Sequence, residues 1–211
     1  MLAYVEQDNV FKAMNLSGYA GGQYMRVVPT YICPSDPSIS RGMNTTATGG
    51  ANNWAASCYG GNNYVFGDPT SPSGLYTQGS AVLPATIPDG LSNTVFFAEM
   101  YGTCGTNGQN AGDTFGSLWA DANSVWRAGF NLGPRSAFKN GVAGYPAAGM
   151  FQVRPVMYST CDWSVPQAAH TGGINVGLGD GSVRFVRSSI SANAWALAND
   201  PRDGQVLPGD W

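Results

Sequence analysis

The chain predicts an α+β, β-rich fold: an antiparallel sheet with long Gly/Asn-rich loops and short helices near its two ends. Three observations lead there. Glycine (29) and proline (13) punctuate the whole length, which favours turns and short strands over long regular elements. Only 11 % of residues are charged, against about 25 % in typical soluble domains. The glutamates are Glu6 and Glu99 alone and the lysines Lys12 and Lys139 alone, so little exposed helix is sustained. Finally, apolar and polar residues alternate strictly near the C-terminal end, the period of a half-buried strand.

With 211 residues, 43 % of them hydrophobic, the chain holds enough apolar surface for one core. We read 1–211 as a single domain, with 19–200 as a β-rich body, 201–211 as a tail and 1–18 as the end of a helical region. Leu2, Val5, Val10, Phe11 and Met14 fall near a 3.6-residue period, which predicts a leading helix. Residues 24–32 (YMRVVPTYI) are β-prone but interrupted by Pro29, so an edge strand or extended passage is expected. Cys33–Pro37 (CPSDP) is a rigid turn, 38–63 a polar loop held if Cys58 is bridged, and Tyr64–Phe66 a short strand.

The run Thr94–Met100 (TVFFAEM) breaks alternation at Phe96 and Phe97, as a strand buried on both faces does. Stretches 67–80, 101–114 and 131–149 read as loops, and Gln152–Tyr158 as an edge strand because of Pro155. Ile174, Val176 and Leu178 alternate with Asn175 and Gly177, and Val183 and Phe185 flank Arg184. Gly179-Asp180-Gly181 between them supplies positive-φ turn positions, so a β-hairpin is predicted. Ser191 then caps a helix over 192–199 anchored by Trp195.

Net charge is −3 with a pI near 4.9, and the ten basic residues are scattered. Nucleic-acid binding needs clustered cations to displace phosphate counterions, so that class is set aside. Cys33, Cys58, Cys104 and Cys161 form no C-x-x-C pair, which removes zinc-ribbon and thioredoxin chemistry. An even count in a Gly/Asn-rich chain points to an oxidising compartment and up to two disulfides. Three pairings are open, as is burial of free thiols. No run approaches the 18 apolar residues of a spanning helix and no signal peptide opens the chain, so an exported domain would need an element upstream.

His170 is the only histidine. A Ser-His-Asp arrangement can be drawn from it with Asp162 or Asp180 and Ser164, Thr171 or Ser182, but no G-x-S-x-G elbow occurs. The structural alternative is that His170 fastens the loop entering the hairpin through a backbone or carboxylate bond. Gly172, Gly173, Gly177, Gly179 and Gly181 match no phosphate-binding pattern. No cofactor is expected; calcium, which takes carboxylate and carbonyl oxygens from irregular loops, would look first to Asp89, Asp162 and Asp180. Six tryptophans and ten tyrosines keep a glycan-binding reading open, with Trp54 as the ring expected to be exposed.

His170–Val176 (HTGGINV), followed by Gly179–Val186 (GDGSVRFV), resembles the C-terminal signature of a pilin-like family best known from planctomycete bacteria, H-x-G-G-x-N-V then D-G-S-V-x-F. Tyr4–Asn9 (YVEQDN), Cys33–Pro37, the Tyr59–Gly67 loop and Asp89–Thr94 (DGLSNT) leading into Glu99 agree in order. The resemblance spans residue 4 to about 198. It implies a pilin-like globular head whose N-terminal membrane helix lies upstream of these residues, at the cell surface, outside the cell or in the periplasm. It further implies a structural role in a surface or secretion assembly, with self-association or other pilin-like subunits as partners and contact with the membrane only through that helix. His170, Gly172, Gly173, Asn175, Asp180, Gly181, Ser182 and Phe185 then become architectural residues, not catalytic ones. An extracellular glycan- or peptide-binding module is the alternative, and a hydrolase using His170 a distant third.

Overall fold

A computed structural model describes residues 2–14, 18–45, 53–67, 81–105, 114–121, 126–131 and 149–211. The parts of the expected loops at 46–52, 68–80, 106–113 and 132–148 lie outside them. The architecture is mixed α+β and β-rich with short helices, as the composition predicts. Among the described residues no helix is long and apolar enough to cross a membrane.

The leading segment is a 3-10 turn, Leu2–Val5, followed by helix α1, Asp8–Ala13. Glu6 between them has φ 58, which interrupts the expected continuous helix. Leu2 and Val10 bury against Val28, but Phe11 is exposed. Residues 24–32 form no strand. Pro29 opens a 3-10 turn, Pro29–Tyr31, a position where its missing N–H goes unneeded, and a further 3-10 turn spans Gln23–Met25.

The central sheet holds β1 (Tyr59–Asn62), β2 (Val95–Glu99), β3 (Gly129–Phe130), β4 (Gly173–Leu178) and β5 (Val183–Arg187) in the order β5-β4-β2-β1-β3. All neighbours run antiparallel except β1 and β3, which are parallel; the sheet is thus not purely antiparallel. Strand β2 lies in the middle of it with Val95, Phe96, Ala98 and Glu99 buried, but Phe97 is 38 % exposed, so the expected burial on both faces holds only in part. The expected strand at Tyr64–Phe66 is instead a helical turn, α2 (Asn63–Phe66). The Asn62 side chain accepts a hydrogen bond from Tyr64 N at 3.0 Å and so caps the backbone out of the ladder. The expected strand at 152–158 is only Gln152–Val153, paired in parallel with Gln167–Ala168.

One face of the sheet is the core. Val95, Ala98, Phe130, Ile174, Val176, Leu178 and Val186 pack there against Ala194, Trp195 and Ala198 of helix α3 (Ala192–Asn199). Ser191 Oγ accepts from Ala194 N at 3.1 Å, the expected cap. Trp195 is fully buried, meets Phe151 edge-on at 4.9 Å and donates its indole N–H to Gly149 O. Buried Asn62, Asn131 and Asn199 add a connected amide network. Asn131 Nδ2 donates to Asn62 Oδ1 (2.9 Å) and Asn199 Oδ1 (3.1 Å), and Asn62 Nδ2 to Val95 O and Asn199 O. It ties β1, β2 and the end of α3 together with its polar groups satisfied.

The β4–β5 hairpin closes through Leu178 N to Ser182 O at 2.9 Å, leaving a three-residue loop. Only Gly181 in that loop has positive φ, +88, the left-handed position that ends such turns. Gly179 serves a different need: a Cβ there would sit 2.6 Å from the Phe96 ring and 3.0 Å from Leu91 O. Nothing lies within 4 Å of a Cβ built on Gly181, so any penalty for substituting it is purely conformational. Gly181→Val is expected to destabilise the domain by about 1–2 kcal/mol. A thermal melt superimposable on that of the parent protein would refute the requirement for positive φ.

Candidate functional site

The sequence blocks at 33–37, 59–67, 89–99 and 170–186 converge on Glu99, at the end of the central strand β2. Glu99 is buried. Its register partner on β1 is Tyr59, and its carboxylate reaches across to the start of β4. Oε2 accepts from Asn175 N at 3.0 Å, Oε1 from Asn175 Nδ2 at 2.9 Å, and His170 Nε2 lies 3.1 Å from Oε1. A carboxylate bonded through both oxygens to a backbone amide, a side-chain amide and an imidazole joins the central strand to the segment entering the hairpin. His170 therefore meets a carboxylate at the mouth of the hairpin, and that carboxylate comes from β2.

Cys33 completes this group, its Sγ 3.9 Å from His170 Nε2. Behind it, Asp36 forms a second hub. Oδ1 accepts from Ser38 N at 2.8 Å, and Oδ2 accepts from Gly102 N at 2.8 Å and from the Cys58 thiol at 3.2 Å. Cys58 N in turn donates to Tyr31 O at 2.7 Å. The CPSDP turn is thereby fastened to β1 and to the segment following β2. Cys58 is a free thiol, as is Cys33, so of the two alternatives the sequence leaves open the buried thiol holds at both, and hydrogen bonds stand where a bridge at Cys58 would. Burial raises both thiols above their ordinary range, and the Asp36 carboxylate raises Cys58 further. Burial also raises Tyr59, with Cys33, Glu99 and Cys58 adding to it, which places the phenol beside the same group.

Cys33, His170 and Glu99 superficially resemble a thiol relay. In such a relay the base uses its two ring nitrogens separately, one toward the nucleophile and one toward the orienting carboxylate. Here Cys33 and Glu99 both face Nε2. A reactive thiol also needs its ionisation eased, whereas burial makes that of Cys33 harder. In this geometry Glu99 links the central strand to His170 and Asn175 at the entry to the hairpin.

Neither acid expected near His170 is its partner. Asp162 accepts from Ser164 N (2.9 Å) and Ser164 Oγ (2.7 Å), and Asp180 from Ser182 N (2.9 Å) and Ser182 Oγ (2.7 Å). Each closes its own turn, and the two bonds from Ser182 hold the Asp180 carboxyl below the usual carboxylate range. Asp89 instead accepts from the Asp203 and Gly204 amides at 2.8 and 2.9 Å, tying down the C-terminal tail. Among the described residues no group of three or more His, Cys, Asp or Glu is arranged to hold a metal.

The paired glycines of the motif divide their roles. Gly172 has φ +84, and a Cβ on Gly173 would collide with the Val186 carbonyl oxygen. Asp89–Thr94 joins the far end of the hairpin: Thr94 O accepts from Gly179 N at 3.1 Å. Phe185, paired with Asn175, is half exposed on the face opposite the core. The block Tyr4–Asn9 makes no hydrogen bond to this group among the described residues, and Tyr4 is exposed. Trp54, expected to be exposed, is half-buried against Tyr24 (4.5 Å) and Tyr19 (4.9 Å).

A family described as "Protein of unknown function (DUF1559)" matches residues 1–193. The chain belongs to the DUF1559 family. No curated protein and no solved structure matches it significantly. In this DUF1559 chain one disulfide forms, Cys104–Cys161. It joins the strand Thr103–Gly105 to the segment before Gln167, beside Tyr101, Trp163 and Ala169. Motif reasoning places Glu99 at the end of a sequence block but does not name it as the partner of His170. As one of two glutamates in a charge-poor chain, lying inside a β-prone run, it is a buried acid that requires a partner.

Proposed function

We propose that this domain is a non-catalytic structural subunit of a pilus-like or pseudopilus-like surface or secretion assembly, working outside the cytoplasm. The observation that carries the reading is the Glu99 hub. Its polar groups are directed at one another, and they join the CPSDP turn, the central strand and the C-terminal hairpin. Such an arrangement makes a stiff head, as a subunit that bears load through contacts with its neighbours requires. A buried disulfide and a charge-poor surface fit an oxidising, extracytoplasmic setting. The glycan-binding alternative finds less support, since the Trp54 ring packs against two tyrosines.

Native envelope fractions, chemically cross-linked and examined by immuno-electron microscopy, test this reading. Label on filaments or on a multi-subunit complex, with ladders of cross-linked copies or of pilin-like partners, is the expected result. Recovery solely as a free monomer would overturn it. So would turnover of ester, peptide or glycoside substrates that disappears in a folded His170→Ala variant.

A further inference from the structure

Among the described residues, strand β5 ends the central sheet with β4 as its neighbour. Its hydrogen-bonding phase follows from the register. The hairpin pairs 172 with 188 through Ser188 N to Gly172 O (2.8 Å), and 178 with 182 through Leu178 N to Ser182 O (2.9 Å). Bonded and non-bonded pairs alternate in an antiparallel ladder. The pairs Gly177/Val183, Asn175/Phe185 and Gly173/Arg187 are therefore the non-bonded ones. Val183 and Phe185 turn both backbone groups away from β4, toward the free edge. Arg187 turns its N–H there too, while its carbonyl accepts from Ile190 N. An edge that no other described strand pairs with is a template for a further strand.

The side chains along this edge select what binds. Val183 is 76 % exposed and Phe185 49 %, two apolar contacts on one face. Arg184 and Arg187 lie on the same strand. Beside it, a groove of about 400 Å³ is lined by Arg184, Phe185, Arg187, Ile190, Asp210 and Trp211, among others. Arg184 stacks 4.9 Å from the Trp211 ring and donates to Trp211 O. Asp210, the acid in the groove, accepts from Ser191 N at 2.8 Å and so faces the α3 cap.

We propose that β5 is a docking edge for an extended, acidic peptide segment of another protein, added to the sheet as a sixth strand. Backbone bonds to Val183, Phe185 and Arg187 supply affinity, as in strand addition generally. Apolar residues of the segment cover Val183 and Phe185, and its carboxylates meet Arg184 on one face and Arg187 on the other. A second copy of this chain is disfavoured as the occupant, because edge-to-edge pairing of two β5 strands would bring four arginines together. This inference concerns a surface distant in role from the Glu99 hub and does not depend on the assembly reading.

The test uses a fluorescein-labelled heptapeptide, Glu-Thr-Val-Glu-Val-Thr-Glu, blocked at both ends, which in either strand direction sets valines against Val183 and Phe185 and glutamates against Arg184 and Arg187, with the full chain and anisotropy as readout. Saturable binding that weakens with added salt is expected, with at least a tenfold loss for Arg187→Glu. Two peptide controls leave the protein unaltered: lysine in place of glutamate, and N-methylation at alternate residues, each expected to abolish binding. Phe185→Pro, which removes both an outward-facing N–H and the apolar ring of the docking edge, should do the same while circular dichroism shows an intact fold. Any of four results would overturn the proposal: no binding at millimolar peptide, equal binding of the lysine peptide, indifference to Arg187→Glu, or concentration-dependent dimerisation that Arg187→Glu abolishes.

Discussion

Replacing Glu99 with alanine is expected to lower the stability of the domain by about 3 kcal/mol, the scale for stripping a partner from buried polar groups. In a domain of this size that corresponds to a fall in melting temperature of about 6–12 °C. The substitution orphans the Asn175 amide N–H and side-chain Nδ2–H, removes the partner of His170 Nε2 and leaves a void in a buried position. Glu99→Gln should also destabilise, since an amide presents one acceptor where a carboxylate presents two. A double-mutant cycle with Asn175→Ala should return a coupling of about 1 kcal/mol or more, as residues in one network do. Thermal and denaturant unfolding measure both. The comparison bears on function as well: a clamp loses assembly in step with stability, whereas a catalytic acid would leave a stable but inactive fold. A Glu99→Ala protein that melts with the parent would remove the hub from the account of this fold.

Loss of the Cys104–Cys161 bridge is expected to be at least as damaging. The two cysteines are 57 residues apart in sequence, and closing a loop of that length restricts the unfolded chain by about 4 kcal/mol in the chain-entropy description. A Cys104→Ser/Cys161→Ser variant should therefore melt about 8–16 °C lower. Thiol counting provides the independent check. Cys33 and Cys58 are buried and raised in pKa, so the native protein should react slowly with alkylating reagents at pH 8. Denaturation without reductant should expose two thiols, and denaturation with reductant four. Four thiols without reductant would show that the bridge does not form, and none would show that Cys33 and Cys58 are themselves paired. A bridge of this kind persists in an oxidising compartment, the setting that the assembly reading requires.

Features set by near neighbours along the chain are legible in the sequence. The hairpin at 173–187, its Gly181 turn, the Ser191 cap and the buried Trp195 follow from period-two alternation, positive-φ glycine and capping chemistry, each acting over a few residues. Where the local signal is ambiguous, tertiary context decides. Tyr64–Phe66 has strand composition, yet Asn62 is drawn into a buried amide network and caps a helical turn instead. Gly179 resembles a turn glycine but is required by the Phe96 ring packed over it. Residues 24–32 contain strand formers, but Pro29 opens a 3-10 turn.

The candidate site divides along the same line. The sequence by itself determined that His170 and the glycines around it stand at the mouth of a hairpin, that Gly179-Asp180-Gly181 is its turn, and that four cysteines could form no more than two bridges. Only the tertiary structure decided that the partner of His170 is Glu99, that Cys33 and Cys58 remain thiols beside Asp36, and that Cys104 pairs with Cys161. Partner choice between distant residues depends on strand order. Placing β2 between β1 and β4 brings Glu99 within reach of both the CPSDP turn and the hairpin, and no spacing along the chain encodes that adjacency.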